Sequence, residues 1–145
     1  MSDATQSYEN HARMVPLFHY VAFGILMINL VWSGRALFRD LSVDNGVPFL
    51  LAVGLILVAW FVRAFPLGVQ DRVIRLEERL RLERLLTGDL KARIGDFTTN
   101  QLVGLRFASD EELPGLARRV LDEGISDRKT IKRAVKNWRA DHQRI

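Results

Sequence analysis

VPLFHYVAFGILMINLVW (Val15–Trp32) and VPFLLAVGLILVAWFVRAF (Val47–Phe65) decide how this chain folds. Each comes close to the ~20 apolar residues an α-helix needs to cross a ~30 Å hydrocarbon layer. A short polar stretch, Ser33–Gly46, separates them. In lipid every backbone amide must be bonded within its own segment, so both runs are expected to be helical. The expected fold is all-α: a transmembrane helical hairpin, an amphipathic juxtamembrane helix, and a small cytoplasmic bundle of short helices.

Working outward, residues 1–14 read as a polar N-terminal tail and 15–65 as the hairpin, with spans of 15–38 and 47–65. Residues 66–97 read as the juxtamembrane helix and a linker, and 98–145 as the helical domain. Only Arg13 is cationic before the first run, and Trp32-Ser33-Gly34-Arg35-Ala36 lacks a small-x-small cleavage site. A retained span is therefore expected rather than a signal peptide. Asp44-Asn45-Gly46 reads as the turn, Pro48 suits the first turn of the next helix, and Pro66-Leu67-Gly68 punctuates its end. Tyr20, Trp32 and Trp60 sit towards run ends, where amphipathic rings prefer the headgroups.

The 48% hydrophobic content averages an apolar half with a charged one. Of 21 Lys and Arg, 17 follow Pro66, with 13 of the 17 Asp and Glu. The net charge of +4 sits on a mixed surface, which suits solubility and anionic neighbours without demanding nucleic acid. Close to the spans, Arg63, Arg72, Arg75, Arg79, Arg81 and Arg84 outnumber Arg35 and Arg39. The positive-inside rule then places both termini in the cytoplasm. Within the first run, His19 lacks an acidic partner for proton relay, and Asn29 is the candidate for a helix–helix hydrogen bond.

In the tail, Val69, Val73, Leu76 and Leu80 recur at spacings of four, three and four, with Asp71/Arg75 and Glu77/Arg81 at i,i+4. The next position in that frame is Glu83. This is an amphipathic helix that dimerises or folds back on the tail domain or lipid, rather than a lasting coiled coil. Thr98 with Gln101 has capping-box spacing and opens a helix across Leu102–Phe107; Ser109 with Glu112 has it again. Leu113, Leu116, Ala117, Val120 and Leu121 then follow at helical spacing, and Gly124 is the stop. Pro114 requires either a turn over Asp110–Leu113 or a kink. Ser126 caps an expected last helix, Asp127–Asp141, carrying Ile131, Val135 and Trp138 on one face.

That last helix is basic. Lys129, Lys132, Arg133, Lys136 and Arg139 are the candidate contacts to an anionic partner, with the outline of a helix-turn-helix. The plainer readings are a solvated face and a helix resting on anionic lipid, and both rank above nucleic acid. Leu116, Val120, Ile131, Val135 and Trp138 are the candidate packing or partner face. Catalytic patterns are missing: three scattered histidines, no HExxH, no nucleophile elbow and no phosphate-binding loop. Cysteine is absent, which removes thiolate chemistry. The run Asp110-Glu111-Glu112 reads as acids favoured at a helix N-terminus rather than as metal ligands.

QLVGLRFASDEELPGLARRVLDEG (Gln101–Gly124), followed by IKRAVKNWRAD (Ile131–Asp141), is similar to an uncharacterised family of small bacterial membrane proteins. The resemblance spans essentially the whole chain and implies two N-terminal spans, a charged helical tail and an inner-membrane location. It implies no activity, cofactor or catalytic residue. The expected function is a non-enzymatic membrane protein, without cofactor, whose cytoplasmic tail binds a protein partner or its own copies. The alternative is a membrane-tethered binder of anionic lipid or nucleic acid through the basic last helix.

Overall fold

The computed structural model describes residues 7–9 and 15–141. Its regular elements are helices: α1 (Phe23–Arg39), α2 (Val43–Leu85), α3 (Gly88–Ala92), α4 (Thr99–Leu105), α5 (Leu113–Asp122) and α6 (Arg128–Ala134). A π-helical segment, Leu17–Ala22, leads into α1, and a short 3-10 turn covers Ile94–Asp96. No strand forms among the described residues; a single antiparallel bridge joins Ala108 and Trp138. Contacts divide the chain into two compact units, Arg13–Leu67 and Gly68–Ile145, the latter including residues 7–9. His11 and His142 lie outside the described residues.

In the first unit, Pro16 opens the helical backbone (φ −57°, ψ −42°), where its missing N–H costs nothing. The π turn shows in the Phe23 N–H, which donates to Phe18 O five residues back. His19 Nδ1 lies 3.1 Å from the Val15 N and 2.9 Å from the Val15 O, a contact within its own turn. Ser33 is buried, and its hydroxyl donates to the carbonyls of Asn29 (2.7 Å) and Leu30 (3.2 Å). A Cβ on Gly34 would meet the Phe49 ring at 3.4 Å, so a glycine there lets α1 and α2 meet closely. Both α1, with its π-helical lead, and α2 are long and apolar enough to cross a membrane.

The connection between them differs from the sequence reading. The turn lies at Asp40–Ser42, and Asp44, Asn45 and Gly46 already belong to α2. Asn45 Nδ2 explains the shift, because it reaches back to Asp40 O (3.0 Å), Asp40 Oδ2 (3.1 Å) and Ser42 Oγ (3.0 Å). Pro48 and Pro66 both lie inside α2, which continues through Leu67 and Gly68 to Leu85. Each proline leaves one carbonyl four residues earlier without its helical donor, and the bonds on either side carry the helix past the gap.

The second unit has one core. Leu82 and Leu86 at the end of α2 pack with Leu90, Ile94 and Phe97, then with Leu102 and Leu105 of α4, Leu113, Leu116 and Val120 of α5, and Ile131 of α6. Gly88, at φ +60°, turns the chain out of α2, and Gly124, at φ +63°, ends α5. The Thr98/Gln101 capping box forms in both directions and opens α4. Asp110–Glu112 is a turn, so α5 starts at Leu113 and Pro114 sits in its first turn. The Ser109 hydroxyl accepts the Glu112 N–H at 3.2 Å, but the Glu112 carboxylate does not complete that box.

The last helix is half its expected length. It ends at Ala134, and Val135 is extended (φ −69°, ψ 123°). Tertiary contacts outcompete helix propensity beyond that point. The Glu112 carboxylate accepts the backbone N–H groups of Lys136 (2.9 Å) and Asn137 (2.8 Å). Ser109 N–H donates to Asn137 O at 3.0 Å, and Arg139 N–H to Phe107 O at 2.7 Å. Val135 and Trp138 therefore leave the helix and run as a strap across Phe107–Ser109.

Candidate interaction surface

Arg81 holds the tail to α2. It is 6% exposed, and all three guanidinium nitrogens are engaged. Nε donates to Asp110 Oδ1 at 2.7 Å, one terminal nitrogen to Ala108 O at 2.7 Å, and the other to Glu78 Oε2 at 3.2 Å and Arg106 O at 3.4 Å. A planar, five-donor group suits two carboxylates and two carbonyls as an ammonium would not. Glu78 is buried beside it, with a guanidinium nitrogen of Arg139 3.9 Å away. Burial raises the Glu78 pKa above 4.5, against the downward pull of the Arg81 charge and hydrogen bond. Asp110 moves the other way, held below 3.8 chiefly by the hydrogen bond from Arg81.

Phe107 forms the second anchor. Trp138 stacks on it at 4.5 Å and 21° between planes, and the Arg106 guanidinium lies 4.4 Å from its centroid. The Lys132 ammonium lies 4.9 Å from the same ring. Two outer clasps tie α5 to the segment after α2. Arg118 grips Asp89 bidentately at 2.8 and 3.0 Å, and Arg93 donates to Asp122 at 2.9 Å. The Asp89 pKa falls to about 2 through the Arg118 hydrogen bond.

These contacts locate the residues singled out in the sequence. Leu116, Val120 and Ile131 are buried in the core, while Val135 packs at its edge and Trp138 covers Phe107. The five basic residues do not share one face. Lys132 is buried against Phe107, and Arg133 donates to the Tyr8 hydroxyl at 3.1 Å with its guanidinium 5.3 Å from that ring. Arg139 turns towards Glu78, and Lys136 lies on the strap beyond α6. Lys129 is exposed on α6. Asn29 is exposed on α1. Two expected helical ion pairs are replaced: Asp71 lies 4.0 Å from Arg128, and Arg81 takes Glu78 and Asp110. The acidic run is structural: Asp110 and Glu112 each hold a distant segment, and α5 has no acid in its first turn.

One surface stays open. Val69, Val73, Leu76 and Leu80 are 61, 49, 61 and 59% exposed, and Arg72, Arg75 and Arg79 line a groove with the first three. Sequence reading missed Glu78, Arg81, Arg106 and Asp110 as a group. A Glu/Arg pair at i,i+3 looks like a solvated surface pair, and nothing local marks residues 25 to 29 positions away as its partners. Among the described residues no group of three or more His, Cys, Asp or Glu could hold a metal ion.

Comparison with known proteins gives one match. The model described as "Family of unknown function (DUF6526)" covers residues 1–145. No curated protein and no solved structure matches the chain.

Proposed function

We propose that this chain, which belongs to the DUF6526 family of unknown function, is a non-enzymatic integral membrane protein that displays a helical interaction module at the cytoplasmic face. In this reading α1 and the first part of α2 cross a bacterial inner membrane as a hairpin, with both termini inside. The observation that carries it is where the apolar side chains of these helices point. Leu17, Ile28 and Trp32 are 75, 72 and 75% exposed, and Leu50 and Trp60 are 69 and 65% exposed. A helix in the core of a soluble protein would bury such residues; a lipid-facing helix has no need to. The arginines following the second run support the cytoplasmic placement of the tail.

The tail supports binding rather than chemistry, because its charged groups are spent on internal clasps. Arg81, Asp110, Glu112, Asp89 and Arg118 each close a contact between segments. The dispersal of Lys132, Arg133 and Arg139 onto Phe107, Tyr8 and Glu78 leaves the lipid or nucleic-acid alternative without a continuous basic face.

The test is carbonate extraction of bacterial membranes, then crosslinking in intact cells with the full chain and a chain truncated after Phe65. The expected result is a chain retained in membranes, whose crosslinked species disappear with the tail. Release by carbonate, or crosslinks that survive the truncation, would refute the reading.

A further inference from the structure

After Gly68, α2 presents two faces, and the tail core covers one of them. At about 100° per residue, Ile74, Glu78, Arg81 and Leu82 fall on one side, and all four are buried. Val69, Val73, Leu76 and Leu80 fall opposite, within an arc of roughly 60°, and stay about half exposed or more. A scattered surface leucine needs no partner, whereas four apolar residues in register form a stripe that does.

The spacing of four, three and four is that of successive d, a, d and a positions in a coiled-coil seam. Arg72 then occupies a g position and Glu77 an e position. In a parallel pair a g side chain faces the e side chain five residues on in the other helix. Arg72 of one copy would thus face Glu77 of the other, twice by symmetry. Both side chains are exposed, and neither makes an ion pair with a described residue. An antiparallel pair would instead set Arg72 against Arg79, both at g, and oppose like charges. The parallel pair also sets Arg79 at g against Arg84 at e, but beyond Leu80, the last apolar layer, and with Arg84 drawn to 3.8 Å from Asp110 of its own chain. Within the seam the charge pattern favours the parallel arrangement.

We propose that Val69–Leu80 is the seam of a parallel homodimer, with a second copy of this chain as its occupant. The inference rests on the membrane-anchored reading, since two copies inserted in one orientation present this segment in parallel. The seam stops at Glu83, which takes the next d position, so it falls short of the heptads a free coiled coil needs. Confinement of both copies to one bilayer raises their effective concentration and supplies what the short seam lacks.

The chain has no cysteine, so single replacements report proximity cleanly. In native membranes, with the full chain, mild copper-phenanthroline oxidation should convert Leu76→Cys to a disulfide-linked dimer. Arg75→Cys, which lies off the seam, should crosslink several-fold less. Adding Arg72→Glu to Leu76→Cys should lower the dimer fraction roughly fivefold, and further adding Glu77→Arg should restore it. Equal crosslinking at Leu76 and Arg75, or indifference to the charge exchange, would overturn the proposal. A blue-shifted environment-sensitive probe on Leu76→Cys without a crosslink would assign the stripe to lipid and overturn it too. Carbonate extraction of the same membranes separates the two ideas. A seam crosslink in an extractable chain overturns anchoring and keeps the seam; no crosslink in a retained chain does the reverse.

Discussion

Replacing Arg81 with Met tests whether the tail is clamped to α2 as described. Met keeps much of the length and the apolar stem but removes every donor. Glu78, 5% exposed, would lose its nearest counter-charge, and the carbonyls of Ala108 and Arg106 would lose their donor. Breaking a buried pair on one side costs about 3–5 kcal/mol. The lower end applies here, because the half-exposed Arg139, 3.9 Å from Glu78, stays as a second cation. Arg81→Met should therefore lose about 3 kcal/mol at pH 7. Arg81→Met with Glu78→Gln should recover about half of that, leaving about 1–2 kcal/mol for the unpaired carbonyls. The sign of the pH response follows from Glu78. Its folded pKa is raised above 4.5, so its contribution to stability is fully present below 4.5 and lost as pH rises through the folded value. Losing Arg81 removes the charge and hydrogen bond that hold that value down, so it climbs further. The deficit of Arg81→Met should shrink between pH 7 and pH 5. Asp110 does not interfere, because its lowered pKa acts only as pH falls below about 3.8. The assay is denaturation of the full chain in mild detergent, followed by Trp138 emission with Trp32 and Trp60 changed to Phe. A variant as stable as its parent, or a deficit unmoved by pH and by Glu78→Gln, would refute the clamp.

Gly104→Ala and Gly115→Ala should have opposite signs in the same assay. At Gly104 the new Cβ would lie 2.9 Å from the Ile131 Cβ and Cγ2; the Cβ is fixed by the backbone and no rotamer change withdraws it, so α6 must shift, at about 1–3 kcal/mol. At Gly115 nothing lies within 4 Å, and alanine in α5 should stabilise by roughly 0.5–1 kcal/mol. Asp89, with its pKa lowered to about 2, contributes stability above its ordinary 3.8 that is lost as pH falls towards 2. Arg118→Gln should flatten the acid limb of the stability profile between pH 4 and 2, and an unchanged limb would show the clasp to be inert. Glu112→Ala should release the strap, exposing the Arg139 peptide bond to trypsin and red-shifting Trp138 emission while α5 keeps its helicity. Unchanged digestion there would show that the Lys136 and Asn137 amides do not depend on the carboxylate.

What was legible in the sequence followed local rules. The Thr98/Gln101 box, the stop at Gly124 and the spacing of Leu113, Leu116, Ala117 and Val120 depend on residues within a turn or two, and each forms as read. The failures lie where distant groups decide. Helix propensity carries Asp127–Asp141 as one helix, yet Glu112 and the Phe107 backbone bind residues 136–139 in an extended strap. Prolines 48 and 66 read as boundaries, yet a helix forgoes one hydrogen bond at each and continues. The five basic residues flank a common apolar stripe only in a helix that continues to Asp141. Once it ends at Ala134, Lys136 and Arg139 no longer follow its periodicity, and the candidate contact surface dissolves with it.

The segment after Gly68 shows the same limit in its sharpest form. Amphipathic reading selects Val69, Val73, Leu76 and Leu80 as the face to bury, since hydrophobic residues repeat there without interruption. The tail instead packs on the opposite side, where Glu78 and Arg81 interrupt Ile74 and Leu82. A polar pair can be buried only if every donor and acceptor is met, and the turn at Arg106–Asp110 meets them with two carbonyls and a carboxylate. The tail is thereby directed to the less apolar face by hydrogen-bond geometry, which hydropathy does not register. The more apolar face is left over. An apolar stripe kept free while a polar face is buried costs a monomer solubility and gives it nothing in return. The proposed seam rests on this leftover stripe and on exposed Arg72 and Glu77 beside it, whose charge order matches a second copy lying parallel to the first.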